Sequence, residues 1–112
     1  MSISYEGIGH LSVTFPNHNA TEHQVCTVGN DGKVCACTEG GNFIGEVESV
    51  NATYAGVQVG GFVKLKYTGV APAVGFTKLS ANGTGGIKAD AQGQGYWVVS
   101  VDTVNAMAIV KL

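Results

Sequence analysis

The sequence predicts an all-β protein, a small single-domain β-barrel or β-sandwich with antiparallel hairpins. Apolar and polar residues alternate with the two-residue period of strands, and Gly, Asn and Asp separate the alternating stretches. No window shows the 3.6-residue apolar period of a capped helix. The chain has 112 residues, the size of one domain. Its candidate strands recur at the spacing of about 8–12 residues that is typical of sandwiches and barrels.

The clearest strand is GFVKLKY at residues 61–67, which places Lys64 and Lys66 on one face and three apolar side chains on the other. The C-terminal hairpin begins with a strand that is apolar on both faces, with Trp97 on one and Val98 on the other. Such a strand is central in its sheet or covered by a partner. The other segments are predicted as strands at residues 8–15, 42–50, 54–60, 75–80, 96–101 and 106–112, and as a glycine-rich loop at 81–90. No segment is an exact repeat of another.

A further hairpin, HQVCTVGNDGKVCACTEG at residues 23–40, holds all three cysteines. Its turn signal is NDG at residues 30–32. A two-residue loop formed by DG would pair Cys26 with Cys37, and one formed by ND would pair Cys26 with Cys35. Either loop places the three thiols on one face. We therefore predict that the three cysteines are reduced, free of metal and largely buried.

A shared metal ion does not fit this hairpin. Cysteines at i and i+2 of an extended strand lie about 6.6 Å apart, given a rise of ~3.3 Å per residue. Zinc with bonds of ~2.3 Å to sulfur needs ligands closer than about 4 Å, and the C-x₂-C spacing of a zinc knuckle is missing. A cross-strand disulfide has suitable geometry but is not expected in a reducing cytoplasm. The sequence predicts no metal and no cofactor.

Catalytic motifs are not recognisable either. A cysteine nucleophile would need His10 or His18 close to a cysteine, for example His10 beside Cys26, and nothing in the pattern indicates such a pairing. Glu46 and Glu48 share one strand face, which we interpret as solvated. The stretch GTGGIKAD at residues 83–90 lacks the P-loop pattern and a following helix. We predict that the protein is not an enzyme.

The composition excludes several classes of protein. Charged residues make up only 12% of the chain, the net charge is −2, and all six basic residues are lysines. Scattered lysines do not form the basic stripe of a nucleic-acid binder, and no apolar run is long enough to span a membrane. The start of the sequence does not resemble a signal peptide, so we expect synthesis and folding in a reducing cytoplasm. A surface with few charges favours self-association.

The C-terminal half carries a pattern of strands and turns: GFVKLKYTGVAPAVGFTKLSANGTGGIKAD, then YWVVSVD and AIVKL. Upstream, CTVGNDGKVCACTEGGNFIGEVESV adds a hairpin, an acidic and glycine-containing turn, and F-x-G-x-V. Over about residues 24–112 this pattern resembles the small capsid decoration proteins, also called head-stabilising or cement proteins, of tailed bacteriophages and prophages.

This resemblance implies a viral structural protein of the bacteriophage virion. Such a protein binds the major capsid protein on the assembled capsid surface and holds capsomers together. Decoration proteins often form trimers, so self-association as a trimer is favoured. Assembly would take place in the cytoplasm of the bacterial host, with no nucleic acid and no membrane as partners.

Residues 1–23 are predicted to be an N-terminal arm that a partner orders, and residues 24–112 the β-domain. We expect residues 1–15 to be disordered or domain-swapped in the isolated protein. The predicted interface residues are Tyr5, His10, Val13, Phe15 and Trp97. The alternative function is a carbohydrate- or host-surface-binding β-module of a phage fibre or bacterial surface structure. It would need exposed aromatic side chains projecting together from among Tyr5, Tyr54, Tyr67 and Trp97.

Overall fold

The computed structural model describes residues 9–112, which form ten strands and no helix. The strands make two antiparallel five-stranded sheets that are not closed into barrels, so the predicted all-β class is confirmed in its sandwich-like form. No helix among these residues is long and apolar enough to cross a membrane. The strands are β1 Leu11–Pro16, β2 Val25–Val28, β3 Val34–Ala36, β4 Gly45–Val50, β5 Tyr54–Gly60, β6 Phe62–Lys66, β7 Gly75–Ala81, β8 Ile87–Ala89, β9 Gln94–Asp102 and β10 Met107–Lys111.

The two sheets repeat one topology. The first sheet has the order β1-β5-β4-β2-β3, and the second has the order β6-β10-β9-β7-β8. Strands β6 to β10 therefore take the same places in the second sheet that β1 to β5 take in the first. An isolated parallel bridge joins the two outermost strands of each sheet, Asn17 with Val34 and Tyr67 with Ile87. The chain is therefore a tandem structural repeat.

Local details repeat as well. The register between β4 and β5 skips Glu48, and the register between β9 and β10 skips Val99, so equivalent strands carry equivalent bulges. The side chain of Asn51 accepts backbone N–H bonds after β4, and the side chain of Asp102 does so at the end of β9. The sequence signal for this repeat is V-x-S-V followed by Asn or Asp, at residues 47–51 and 98–102.

Each half has its own apolar cluster. The smaller cluster is formed within the first half, and the larger belongs mainly to the second half but also takes in Val25 and Phe43 from the first. The ring of Phe43 stacks on Tyr96 at 4.6 Å between centroids, and the Tyr96 hydroxyl donates to the Phe43 carbonyl at 2.9 Å. The stacked rings and this buried hydrogen bond fix the two halves against each other.

Most predicted strands are present. Residues 54–60 are a strand as predicted, and β9 lies between β10 and β7, which confirms its central position. The predicted loop at residues 81–90 is wrong in part, because Ile87–Ala89 forms β8 and Ala81 pairs with Ile87. A three-residue strand after several glycines is too short to show alternation. Its side chains are fixed by packing, since Ile87 is fully buried.

The predicted N-terminal arm is only partly described, because the expectation for residues 1–8 lies outside the described residues. From Leu11 onward the chain forms the edge strand β1, which pairs with β5 of the same chain, Val13 with Val57 and Phe15 with Ala55. Phe15 packs against the smaller cluster, whereas most of β1 is exposed. Residues 11–15 thus belong to the chain's own first sheet.

Candidate interaction surfaces

The cysteine hairpin has a three-residue loop, residues 30–32, closed by Gly29 N–H donating to the Lys33 carbonyl at 2.9 Å. Gly32 at the end of the loop has φ 78°, as a type I turn followed by a left-handed residue requires. Cys26 consequently pairs with Ala36, and Cys35 pairs with Thr27. The prediction that all three thiols share a face is wrong, because an odd loop length reverses the parity of one strand against the other.

The cysteines therefore lie in different surroundings. Cys26 is fully buried in the smaller cluster, and burial raises the pKa of its thiol to about 12. Cys37 is half-buried against the larger cluster, and burial raises its thiol pKa to about 11. Cys35 is also half-buried, and all three are free thiols. The prediction of burial is thus confirmed fully only for Cys26. Within residues 9–112 no three His, Cys, Asp or Glu side chains are grouped to hold a metal ion.

A polar cluster forms instead between β1 and β4. His10 Nε2 lies 2.9 Å from Ser12 Oγ and 3.1 Å from Glu48 Oε2, and Ser12 Oγ donates to Glu48 Oε1. The position of Glu48 on the bulge of β4 lets its side chain reach across β5 to the edge strand. The sequence did not predict that Glu48 would lie beside His10 and Ser12. The H-x-S spacing, which places both side chains on one strand face, was the available signal.

This cluster does not have the geometry of a catalytic triad. In a triad the serine and the acid bind opposite nitrogens of the imidazole ring, so that a proton can pass through the histidine. Here Ser12 and Glu48 both approach Nε2, and Ser12 donates directly to the carboxylate. The pairing of His10 with Cys26 that a cysteine nucleophile could use is not formed either, because Cys26 points into the smaller cluster. The cluster's effect is to hold the edge strand onto the sheet.

Glu46 is the unusual carboxylate of the same surface. Burial, with a further contribution from the charge of Glu48, raises the pKa of Glu46 from 4.5 to about 7. The predicted interpretation of both glutamates as solvated is therefore wrong for Glu46, which packs beside the buried Val25 and Gln58. These glutamates and Ser12 define the acidic face of the first sheet.

Glu46→Gln is expected to raise the melting temperature at pH 8 and to leave it almost unchanged at pH 4. A carboxyl whose folded pKa exceeds its unfolded pKa binds its proton more tightly in the native state. The native state therefore loses stability as the pH rises from about 4.5 to about 7. Thermal unfolding at both pH values, with the exposed Glu39→Gln as a matched control, measures this difference. An equal gain at both pH values would contradict the assignment.

The outer face of the second sheet has the opposite character. Register places four of the six lysines on this face, so the expectation that the lysines are scattered is wrong. Two exposed aromatic side chains, Phe76 and Trp97, lie among them. Two acids adjoin this side: Asp102, at the rim, is held by Asn105, and Asp90 accepts from Ser80, two residues after Lys78 on β7, at 2.7 Å. We name this surface the basic aromatic face, comprising Lys64, Lys66, Lys78, Lys111, Phe76 and Trp97.

The aromatic pair is held in place by the sheet. Phe76 and Trp97 face each other on β7 and β9, with ring centroids 5.3 Å apart and an interplanar angle of 60°. The Phe76 ring also lies over Gly95, where an added Cβ would come within 2.3 Å of it. The two side chains nevertheless remain largely accessible to solvent, Phe76 being 62% exposed and Trp97 54% exposed. Exposed aromatic rings in a fixed geometry are typical of recognition surfaces.

The structure places the predicted interface residues in two groups. His10, Val13 and Phe15 lie on or just before β1, and Val13 is exposed beside the exposed Leu11. Trp97 lies on the other sheet, and Tyr5 falls outside the described residues. Phe76, which pairs with Trp97 across β7 and β9, was not predicted as an interface residue. The register of β7 against β9, which brings Phe76 beside Trp97, could not be predicted from the sequence.

Comparisons with known proteins add no relative to this picture. No protein-family model, no curated protein and no solved structure matches the chain. The structure defines the class of the protein as all-β, with two repeated sheets and two exposed apolar surfaces.

Proposed function

We propose that the protein is a capsid decoration protein, a virion structural protein that binds the assembled capsid surface of a tailed bacteriophage and stabilises it without catalysis. The observation that carries this proposal is that each sheet presents an exposed apolar surface. On the first sheet it contains Leu11 and Val13 of the edge strand, and on the second it contains Phe76 and Trp97. Exposed apolar patches on a small protein mark interaction sites.

Two surfaces suit a protein that has to hold neighbouring subunits together. Joining capsomers is a binding task, and each stable contact of this kind buries about 1,200–2,000 Å². The edge strand β1 also offers unpaired backbone groups to a partner strand, because only β5 lies beside it along most of its length. We assign β1, with His10, Val13 and Phe15, to the major capsid protein.

The test is co-sedimentation with empty phage heads assembled from the major capsid protein. The chain is expected to sediment with heads at saturable stoichiometry. The double variant Leu11→Ser/Val13→Ser should lose most of this binding. Val70→Ser, which removes an even more exposed apolar side chain elsewhere, should bind normally. Heads that bind no protein at any concentration tested would contradict the proposal.

A carbohydrate-binding module is the second candidate, because Trp97 is exposed. Tyr67 is buried and Tyr54 lies on the other sheet, so the aromatic surface for a sugar ring would be Trp97 with Phe76. Trp97 is the single tryptophan of the chain, so its fluorescence reports directly on this surface. Titration with purified host cell-wall polysaccharide should change its emission if this alternative is correct, and Phe76→Ala should weaken the change.

A further inference from the structure

We propose that the basic aromatic face binds single-stranded nucleic acid, with its exposed rings stacking on bases and its lysines contacting phosphates. The expectation that excludes a nucleic-acid partner assumes that the lysines are scattered along the chain. In the structure four of the six lie on one sheet face, around Phe76 and Trp97. Proteins bind single strands without sequence preference by combining a positively charged surface with aromatic rings on which bases stack.

The first argument is the arrangement of the side chains. Register places Lys111, Trp97 and Phe76 side by side on the neighbouring strands β10, β9 and β7. Lys78 follows Phe76 two residues later on the same face of β7, so positive charge lies on both sides of the rings. The two lysines of β6 continue the positive charge beyond β10. A single strand that crosses the sheet from β7 to β6 therefore meets lysines before and after the rings.

The second argument is that these lysines are free to bind an anion. All four are exposed, and none forms an ion pair with any residue from 9 to 112. The acids that adjoin the face are already bonded, Asp102 by Asn105 at 2.8 Å and Asp90 by Ser80 at 2.7 Å. Hydrogen bonds from Asn105 are the main cause of the lowered pKa of Asp102, and the charge of Lys64 contributes least. Although the net charge of the chain is −2, this surface is locally positive.

The third argument concerns hydrogen-bonding chemistry. The lysine ammonium groups and the indole N–H of Trp97 donate hydrogen bonds and accept none. A sugar ring carries hydroxyls that need acceptors as well as donors, whereas a phosphodiester presents negative charge and acceptors. Unpaired bases can be splayed out and stacked on aromatic side chains, which the bases inside a duplex cannot. The face therefore suits a single-stranded nucleic acid better than a neutral sugar or a duplex.

The rings are held in position before any ligand binds. Phe76 packs edge-on against Trp97 and lies over Gly95, whose missing side chain leaves the room that the ring occupies. A ring that is already fixed loses little conformational freedom when a base stacks on it. Gly95→Ala should displace the Phe76 ring without changing the charge of the face, so it separates stacking from charge.

The experiment titrates the full chain with an oligothymidylate of about 12 nucleotides, within the ~4–16 nucleotides that a small single-strand-binding module covers. Trp97 is the single tryptophan of the chain, so quenching of its emission reports binding at this face. The wild type should bind saturably at low salt. Each phosphate contact should contribute about −0.7 to the slope of log K against log salt, which gives roughly −3 for four lysines.

Variants test the rings and the lysines separately. Phe76→Ala and Gly95→Ala should weaken binding about tenfold, whereas Tyr54→Ala, which removes an exposed ring of the first sheet, should leave it unchanged. Lys111→Gln should make the salt slope about 0.7 shallower, and Lys33→Gln, outside the face, should not change it. Circular dichroism of each variant separates lost binding from lost folding.

Three results of these titrations would overturn the inference. One is an oligothymidylate that binds at no concentration tested at low salt. Another is binding that Phe76→Ala and Lys111→Gln leave unchanged. The third is equally tight binding of duplex DNA, of polyglutamate or of an anionic polysaccharide, because charge alone would then explain the affinity.

The inference does not depend on capsid binding, which we assign to β1. The variant Leu11→Ser/Val13→Ser should therefore bind the oligothymidylate normally, and Phe76→Ala should still sediment with heads. Loss of head binding in Phe76→Ala would assign the rings to the capsid and overturn the inference. A wild type that binds the oligothymidylate but no heads would refute the proposed function and leave this inference intact.

Discussion

Leu65→Ala is expected to lower the free energy of unfolding by about 2–5 kcal/mol, a large part of the roughly 5–15 kcal/mol available to a small domain. Leu65 lies on β6, is 1% exposed and belongs to the larger cluster. Removing its side chain loses buried apolar contacts and leaves a cavity that the surrounding strands fill only in part. Urea unfolding followed by circular dichroism measures the change.

Leu11→Ala is the matched control for this prediction. Leu11 also lies in the first strand of a sheet, but it is 56% exposed. The same substitution there should change the free energy of unfolding by no more than about 0.5 kcal/mol. Equal effects of the two substitutions would contradict the burial of Leu65 in the larger cluster.

Gly45→Ala is expected to destabilise the first sheet by about 1–3 kcal/mol or more. A Cβ at Gly45 would lie 1.9 Å from the backbone oxygen of Gln58 and 3.1 Å from Val57 Cγ1, so two strands would have to move apart. The backbone atoms of a central strand pair cannot give way as a side chain can. The adjacent thiol of Cys26, which donates to the Gly45 carbonyl, would lose its place in the smaller cluster.

Gly56→Ala is the control, because its added Cβ would meet the Ser49 hydroxyl, a side chain that can rotate. Both substitutions reduce the conformational freedom of the unfolded chain by the same amount. Their difference in urea unfolding therefore isolates the clash at Gly45. A Gly45→Ala protein as stable as Gly56→Ala would contradict the close approach of β4 and β5.

The two sheets have the same strand order but carry different side chains on their outer surfaces. Equivalent strands carry equivalent bulges and turns, yet Glu46 stands where the second half has Trp97. Core positions repeat as apolar residues, for example Val47 and Val98 or Val57 and Val110. The equivalent outer positions differ both in charge and in exposure, since Val25 is buried and Glu46 half-buried, whereas Phe76 and Trp97 are exposed. The basic aromatic face and the acidic face are thus two versions of the same surface.

The sequence by itself determined the all-β class and most strand positions, and it gave a central place as one of two alternatives for β9, which the structure then chose. These features could be predicted because apolar and polar residues alternate along a strand according to which side is buried. In β6, for example, Val63 and Leu65 are buried, and Lys64 and Lys66 are exposed. Alternation within one strand needs no knowledge of its neighbours.

Only the tertiary structure decided how strands meet. The three-residue loop at residues 30–32 separated Cys26 from Cys35, and the bulge at Glu48 brought that side chain to His10. Lysines on β6, β7 and β10 joined one face through the register of three strand pairs around β9 and β10. Loop parity, bulges and register each depend on the packing of residues far apart in the chain. A pattern that repeats every two residues is the same for every register shifted by two, so the sequence alone could not choose among them.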